Sequence, residues 1–423
     1  QRQMCIRDRV DTLMLSSVND QAVGAVGTAN TYIGIFIIMF SVISSGMVAV
    51  MTQNIGAGRP GVAYQARQLG LAFNAVLGVI MSLFLSLGAG TILSGVGVAD
   101  ALMQPAKTYL QIVGGFCILN ALIPICSSYL RAFGFSKEPL YASIIGNVIN
   151  FCLNAFFLFV LHKGVAGVAT ATVISRIINL VIVVLLGAVL VKAKQHPERE
   201  SNRAVMGQII RIGLPSACET AIYNVSMTLV IRFLNQMDAQ GLNVTARSYT
   251  MQITNFSYCV GAALAQANAI MTGWHIGAKE YDACDRGTKK AAVIGVIVAV
   301  ILETVFTLCS GWIMQLFSKD PQMVSLVGKL LAIDIVLEIG RVTNLVYGQA
   351  LKTSGDAVFP VVMGACFMIL CSVGGTYLFG IRLGLLAVGA YIGMTGDECV
   401  RAVGMYLRWK SGKWKEKGLV KSR

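Results

Sequence analysis

Apolar residues in this chain come in blocks too long for the core of a water-soluble domain. Residues 293–317 read VIGVIVAVILETVFTLCSGWIMQLF and residues 179–191 read NLVIVVLLGAVLV. A helix needs about 20 apolar residues to cross the hydrocarbon layer of a bilayer. Inside that layer the backbone must satisfy its own hydrogen bonds, which leaves helices or closed barrels. The period-2 alternation of a barrel strand is absent, so the blocks predict helices. Charge agrees, since only 13% of the 423 residues are charged against 56% hydrophobic, where soluble domains carry about 25% charged residues. The fold class expected is an all-α polytopic membrane protein. The 44 glycines fit it, because small residues let membrane helices approach closely.

The patterning predicts helices near 22–53, 68–96, 105–133, 138–162, 165–192, 206–234, 243–274, 287–316, 321–351, 357–380 and 384–409. The connections between them alternate in charge. One side holds Arg59, Arg67, Arg131, Lys137, the run from Lys192 to Arg211, Lys279, Arg286, Lys289, Lys290, Lys352 and the tail RWKSGKWKEKGLVKSR. The other holds Lys107, Lys163, Lys319 and Arg382, about 21 basic residues against 4. By the positive-inside rule the rich side, with the C-terminus, is expected in the cytoplasm of a cell-membrane protein. The net charge of +14 is thereby a topology signal, and no nucleic-acid partner is expected. The eleven cysteines are scattered singly, with no C-x-x-C pair and no zinc-ligand spacing, so they read as small buried hydrophobes.

Two motifs recur at one offset. IGAG at Ile55–Gly58 returns as IGAK at Ile276–Lys279, and LRAFGFSKEP at Leu130–Pro139 returns as LKTSGDAVFP at Leu351–Pro360, both 221 residues later. Both copies fall on the basic side, so the halves share an orientation, as in transporters built from parallel repeats. The domains expected are an N-lobe at 10–195, a polar linker at 196–203 and a C-lobe at 204–423. The helix at 206–234 lacks a full first-half counterpart, so the first helix is expected to be largely missing. Residues 1–9, QRQMCIRDR, are expected to be non-native, and without an apolar core they are not a signal peptide.

Ionisable residues inside a membrane are costly, and each is a functional candidate. Glu219 lies four residues after Pro215 and, with no cation close to it in sequence, is expected to be the better carrier of a proton or cation. Asp334, Glu338 and Arg341 fall at spacings of four and three on one helical stripe, and Asn344 is three residues further on. Glu338 and Arg341 are either an internal ion pair that fixes helix packing or part of a group that takes up and releases a proton or cation. Glu303 is mid-helix and open to both readings. Arg247 sits near the outer end of its helix. Asn150 and Asn154, four apart, share a face and either coordinate a cation or substrate or bond across helices. Asp11 would close the shortened first helix. No P-loop, HExxH or GxSxG is present and the three histidines lie apart in loops, so no enzyme and no bound cofactor is expected.

In VDTLMLSS with Asp11, IGAG, LRAFGFSKEP, the Asn150–Asn154 segment, IGLPSACE with Glu219, and ALKTSGD with Gly355, the chain resembles the multidrug and toxic compound extrusion (MATE) family. The segments recur in family order over nearly the whole chain. The resemblance implies a MATE-like architecture of twelve helices in two parallel six-helix lobes forming a V-shaped cavity. It implies a secondary antiporter that exports small organic, often cationic, compounds in exchange for H⁺ or Na⁺, driven by the ion gradient and working as a monomer in the bilayer. Asp11 matches the family's first-helix carboxylate, so Na⁺ near Asp11 is one expectation; Glu219 matches an acidic position on the seventh helix. Where some members carry a tenth-helix aspartate, this chain has Arg341, so that branch's C-lobe Na⁺ site does not carry over. A lipid-linked glycan flippase of the same superfamily would need a strongly basic cavity, and Arg176, Arg232, Arg247 and Arg341 are the candidates for it. A non-transporting receptor or scaffold is disfavoured by the duplicated halves and the intramembrane carboxylates. On the antiporter reading, the full-length protein exports a fluorescent cationic dye, and Glu219→Gln abolishes export while the protein still folds. Unchanged export in that variant would remove Glu219 from the mechanism.

Overall fold

A computed structural model of the chain describes residues 14–15, 20–95, 98, 100–192, 197–238, 241–315, 318 and 320–420. Asp11 and residues 1–9 lie outside them. Among the described residues there is no strand, and the long helices follow the apolar blocks. They are α1 (Asp20–Gly56), α2 (Pro60–Leu87), the bent α3 (Leu102–Gly114 with Ile118–Ala132), α4 (Lys137–Val160), α5 (Gly164–Leu190), α6 (Asn202–Met237), α7 (Leu242–Gly277), α8 (Tyr281–Leu308), α9 (Pro321–Ser354), α10 (Val358–Arg382) and α11 (Leu386–Lys410).

Several helices start earlier than hydropathy predicts. α2 begins at Pro60 rather than near 68, because proline is tolerated in the first turn, where its missing N–H is not needed. It also stops at Leu87, and a separate short helix, Ala89–Gly95, follows Gly88. α8 begins at Tyr281 rather than near 287, winding through Asp282, Asp285, Arg286 and Lys289 before its apolar part starts. The apolar length marks only the membrane-embedded portion of a helix, and the charged turns extend past it. The block expected as one helix over 105–133 is bent by 43° between its two parts. A π-helical turn over Leu110–Gly114 and the Gly114–Gly115 pair lie at the break, both recognised causes of kinks.

The chain divides into two compact units. One comprises Gln1–Met51 and Arg59–Gly213, the other Thr52–Gly58 and Leu214–Arg423. In the first, α4 lies on α5, and the second part of α3 packs on α2 and α5. Its core gathers Phe40, Leu85, Leu93, Tyr109, Leu110 and Val113. In the second, α9 is the central helix, touching α7, α8 and α11. Small residues set those approaches. A Cβ on Gly261 of α7 or on Gly295 of α8 would lie 2.7 Å from the Val342 side chain of α9, and one on Gly340 of α9 would lie 2.9 Å from the backbone of α11. Outward-facing positions are apolar, with Leu87, Leu308 and Val189 at least 72% exposed, as expected where lipid rather than water is the surroundings.

Among the described residues, six helices are long and apolar enough to cross a membrane, or seven counting the bent α3. The long helices that do not qualify by composition are α6, α7, α9 and α11. They belong wholly or mostly to the second unit, and they carry most of its buried polar side chains.

The basic tail is folded back rather than free. Trp409 and Trp414 stack at 4.1 Å, Trp409 Nε1 donates to Asp285 Oδ1 at 2.9 Å, and the Leu419 N–H donates to Gln53 Oε1 at 2.7 Å. Gln53 Nε2 in turn donates to the Thr353 carbonyl at 2.6 Å.

The repeat shows itself in the same region. A Cβ on Gly56 would lie 2.0 Å from the Trp274 carbonyl oxygen, and one on Gly277 would lie 2.0 Å from that of Gln53. Gln53 and Trp274 are 221 positions apart, and so are Gly56 and Gly277, so the two contacts are copies of each other. Backbone stands against backbone here, and no rotamer change can relieve an added methyl group. Gly277→Ala is therefore expected to lower the thermal unfolding midpoint sharply or to abolish monodisperse protein in detergent. Gly287→Ala, in a helix at a position with open space around it, is expected to leave stability unchanged or raise it by up to about 1 kcal/mol.

Candidate functional site

The stripe Asp334, Glu338, Arg341 and Asn344 runs along α9, facing charged groups from two other helices. From α8 comes Glu303, fully buried at 0% exposure. One carboxylate oxygen each from Glu303, Asp334 and Glu338 lie within 4.8 Å of one another. The Ser257 hydroxyl of α7 is a hydrogen-bonding group beside Glu303, and Oδ2 of Asp334 has no hydrogen-bond partner among the described residues. Glu338 is ion-paired to Arg341, one helical turn along.

On the other side of Arg341 stands α11. Glu398 Oε1 is 3.7 Å from Arg341 Nε and 3.0 Å from Arg401 Nη2. Glu398 Oε2 accepts a hydrogen bond from Asn344 Nδ2 at 3.0 Å. Arg401 also grips Asp397 with Nε and Nη2, at 2.8 and 2.9 Å, and Ser372 Oγ of α10 donates to Asp397 Oδ2 at 3.0 Å. The result is an unbroken alternation of acid and base: Glu338, Arg341, Glu398, Arg401, Asp397. The Tyr258 ring of α7 lies beside the Arg341 guanidinium, 5.8 Å from centroid to Cζ.

The charges do not balance. Five carboxylates (Glu303, Asp334, Glu338, Asp397 and Glu398) face two guanidinium groups. Arg401 answers Asp397 and Glu398, which leaves Arg341 shared among the rest. Two full negative charges within 4.8 Å of one another repel by roughly 3 kcal/mol or more at an effective dielectric of about 20. Three such groups with one arginine need further positive charge, which a proton or a small cation held by carboxylate oxygens would supply.

Other sequence candidates are distributed elsewhere. Asn150 and Asn154 are both buried on α4 of the first unit, with Asn154 Nδ2 donating to Asn150 Oδ1 at 3.4 Å. Asn150 Nδ2 has no hydrogen-bond partner among the described residues. Arg247 is buried on α7, with Nη2 3.7 Å from Met227 Sδ, and is not ion-paired with the α9 cluster among the described residues. Glu219, with no cation near it in sequence, meets one in space. Lys352 Nζ from the end of α9 lies 2.5 Å from its Oε2. Loss of export in Glu219→Gln would thus report a broken ion pair as well as a lost carboxylate.

The α11 residues Asp397, Glu398 and Arg401 were not singled out from sequence. The signal was present, since DECVR places both acids three and four residues before the arginine, the spacing of a helical ion pair.

The MatE family matches the chain over residues 4–156 and 215–378. The "Uncharacterized transporter YisQ" of Bacillus subtilis is 33% identical over 97% of this chain and 91% of its own length. The "Probable multidrug resistance protein NorM" of Thermotoga maritima is 22% identical over 97% of this chain and 89% of its own. A crystal structure of a MATE protein in the straight conformation shares the fold, with a TM-score of 0.88 at 19% identity over 98% of this chain and 93% of that one. A helical bundle that spans a membrane, with two repeated halves and this family match across both, is a multi-pass membrane transporter: the chain belongs to the MatE family.

Proposed function

We propose that this transporter is an antiporter that exports small organic, often cationic, compounds in exchange for entering H⁺ or Na⁺, and that Glu303, Asp334 and Glu338 take the coupling cation. The observation that carries this reading is Glu303: a fully buried carboxylate within 4.8 Å of two more, with no basic side chain in ion-pair contact with it among the described residues. Leaving such a group without compensating charge is costly, and an ion that enters and leaves would relieve and restore that cost each cycle. The driving force is then the ion gradient, with no bound cofactor. The multidrug-resistance name of the Thermotoga relative supports organic compounds as the exported class.

The relation of sites in this reading differs from the sequence expectation. Glu219 holds an ion pair with Lys352, so the α8–α9 cluster is the better carrier. Asn150 and Asn154 provide a second polar site in the first unit, suited to a cation or substrate through their amide oxygens.

The test is efflux of a fluorescent cationic dye from proteoliposomes containing the full-length protein, under an imposed H⁺ gradient or Na⁺ gradient, each alone. One gradient is expected to drive efflux, and Glu303→Gln and Asp334→Asn to abolish that drive while the purified protein remains monodisperse. Gradient-driven efflux at the wild-type rate in both variants would sink the assignment. The positive-inside reading adds a topology test, in which green fluorescent protein fused to the C-terminus fluoresces and alkaline phosphatase fused there stays inactive. The reverse pattern would overturn a cytoplasmic C-terminus.

A further inference from the structure

Arg341 faces two carboxylates on different helices. It is paired with Glu338 of its own helix, and its Nε is 3.7 Å from Glu398 Oε1 of α11. Building on the reading of the α8–α9 cluster as the coupling site, we propose that Arg341 is an exchangeable internal counter-ion: the entering cation displaces it from Glu338, and it moves onto Glu398.

Three features of the packing favour an exchange of this kind. Glu338 belongs at once to the three-carboxylate cluster and to the ion pair, so a cation bound there and the guanidinium draw on the charge of one carboxylate. Glu398 can receive it while keeping its hydrogen bond from Asn344. Asn344 holds its second oxygen at 3.0 Å, and Arg401 keeps a two-point grip on Asp397. Gly340 of α9 packs against the backbone of Glu398 and Cys399, which keeps the two carboxylates near one another across the helix pair. The motion required is a swing of the side chain, which a planar guanidinium with several donors is suited to make. Its effect reaches beyond α9. A second positive charge on Glu398 loosens its hold on Arg401, and Arg401 is tied through Asp397 to Ser372 of α10. Cation occupancy at α8–α9 is in this way coupled to α10 and α11. By linkage, whatever favours Arg341 on Glu398 must also favour the cation in the cluster.

A double-mutant cycle tests this, read as the half-saturating concentration of the driving ion for dye efflux from proteoliposomes of the full-length protein. Glu398→Gln removes the receiving carboxylate and is expected to raise that concentration roughly tenfold, within the usual range of coupling between sites. Arg341→Gln removes the competitor and is expected to lower it. Simple through-space electrostatics would give both signs as well, but the two effects would then add. The exchange requires that Glu398→Gln lose its effect, to within about twofold, in the Arg341→Gln background, because no guanidinium is left to receive. Additive effects, or the same direction of change in both single variants, would overturn the proposal. If Arg341→Gln does not fold, Arg341→Lys closes the same cycle. The compact ammonium lacks the fork that faces two carboxylates, so the effect of Glu398→Gln should shrink there too, and an undiminished effect would overturn the proposal. Failure of the underlying site reading looks different: ion-driven efflux would then persist in Glu303→Gln.

Discussion

Charge buried among helices must be answered by other buried charge, and the second unit is arranged around that requirement. Arg341 stands between the carboxylates of α8 and α9 on one side and those of α11 on the other. Without it, Glu338 and Glu398 would each be left in a low-dielectric interior with fewer counter-charges, and removal of one partner from such a pair typically costs 3–5 kcal/mol. The close packing of α7, α8 and α11 about α9 is the complementary condition. Glycines at 261, 295 and 340 bring the helices near enough for side chains on three of them to meet at one place.

The apolar blocks made the helices legible because hydrocarbon imposes one period and one length. What they hid were the ends. Charged turns such as Asp282 to Lys289 continue a helix into water, where hydropathy no longer reports it. The bend in α3 was hidden as well, since a π-helical turn and a glycine pair leave mean hydropathy unchanged. Asp334, Glu338 and Arg341 were legible as a stripe because helical spacing alone puts them on one face. Their partners were harder to see. Glu303, Glu398 and Lys352 meet the sequence candidates only through contacts between helices distant in the chain, and no local rule specifies which face of α8 or α11 turns toward α9. Glu219 shows the cost most clearly, its cation lying 133 positions away at Lys352.

Composition also separates the helices by task. α1, α2, α4, α5, α8 and α10 pass as membrane spans on hydropathy alone, and they can present apolar faces to lipid. α6, α7, α9 and α11 do not, because polar and charged groups are set into them. A hydropathy profile therefore undervalues the helices that carry most of the candidate chemistry, although α8 contributes Glu303 from within an otherwise apolar run.

The glycine crossing of Gln53 and Gly56 with Trp274 and Gly277 has a consequence for the sequence. Each contact is the image of the other under the 221-residue repeat. Such reciprocity, in which one position meets a second and the second's copy meets the first's, is the mark of a two-fold association between identical partners. A side chain added at either glycine would therefore collide with the counterpart of the same backbone stretch, so one requirement for a bare backbone is written into the chain twice.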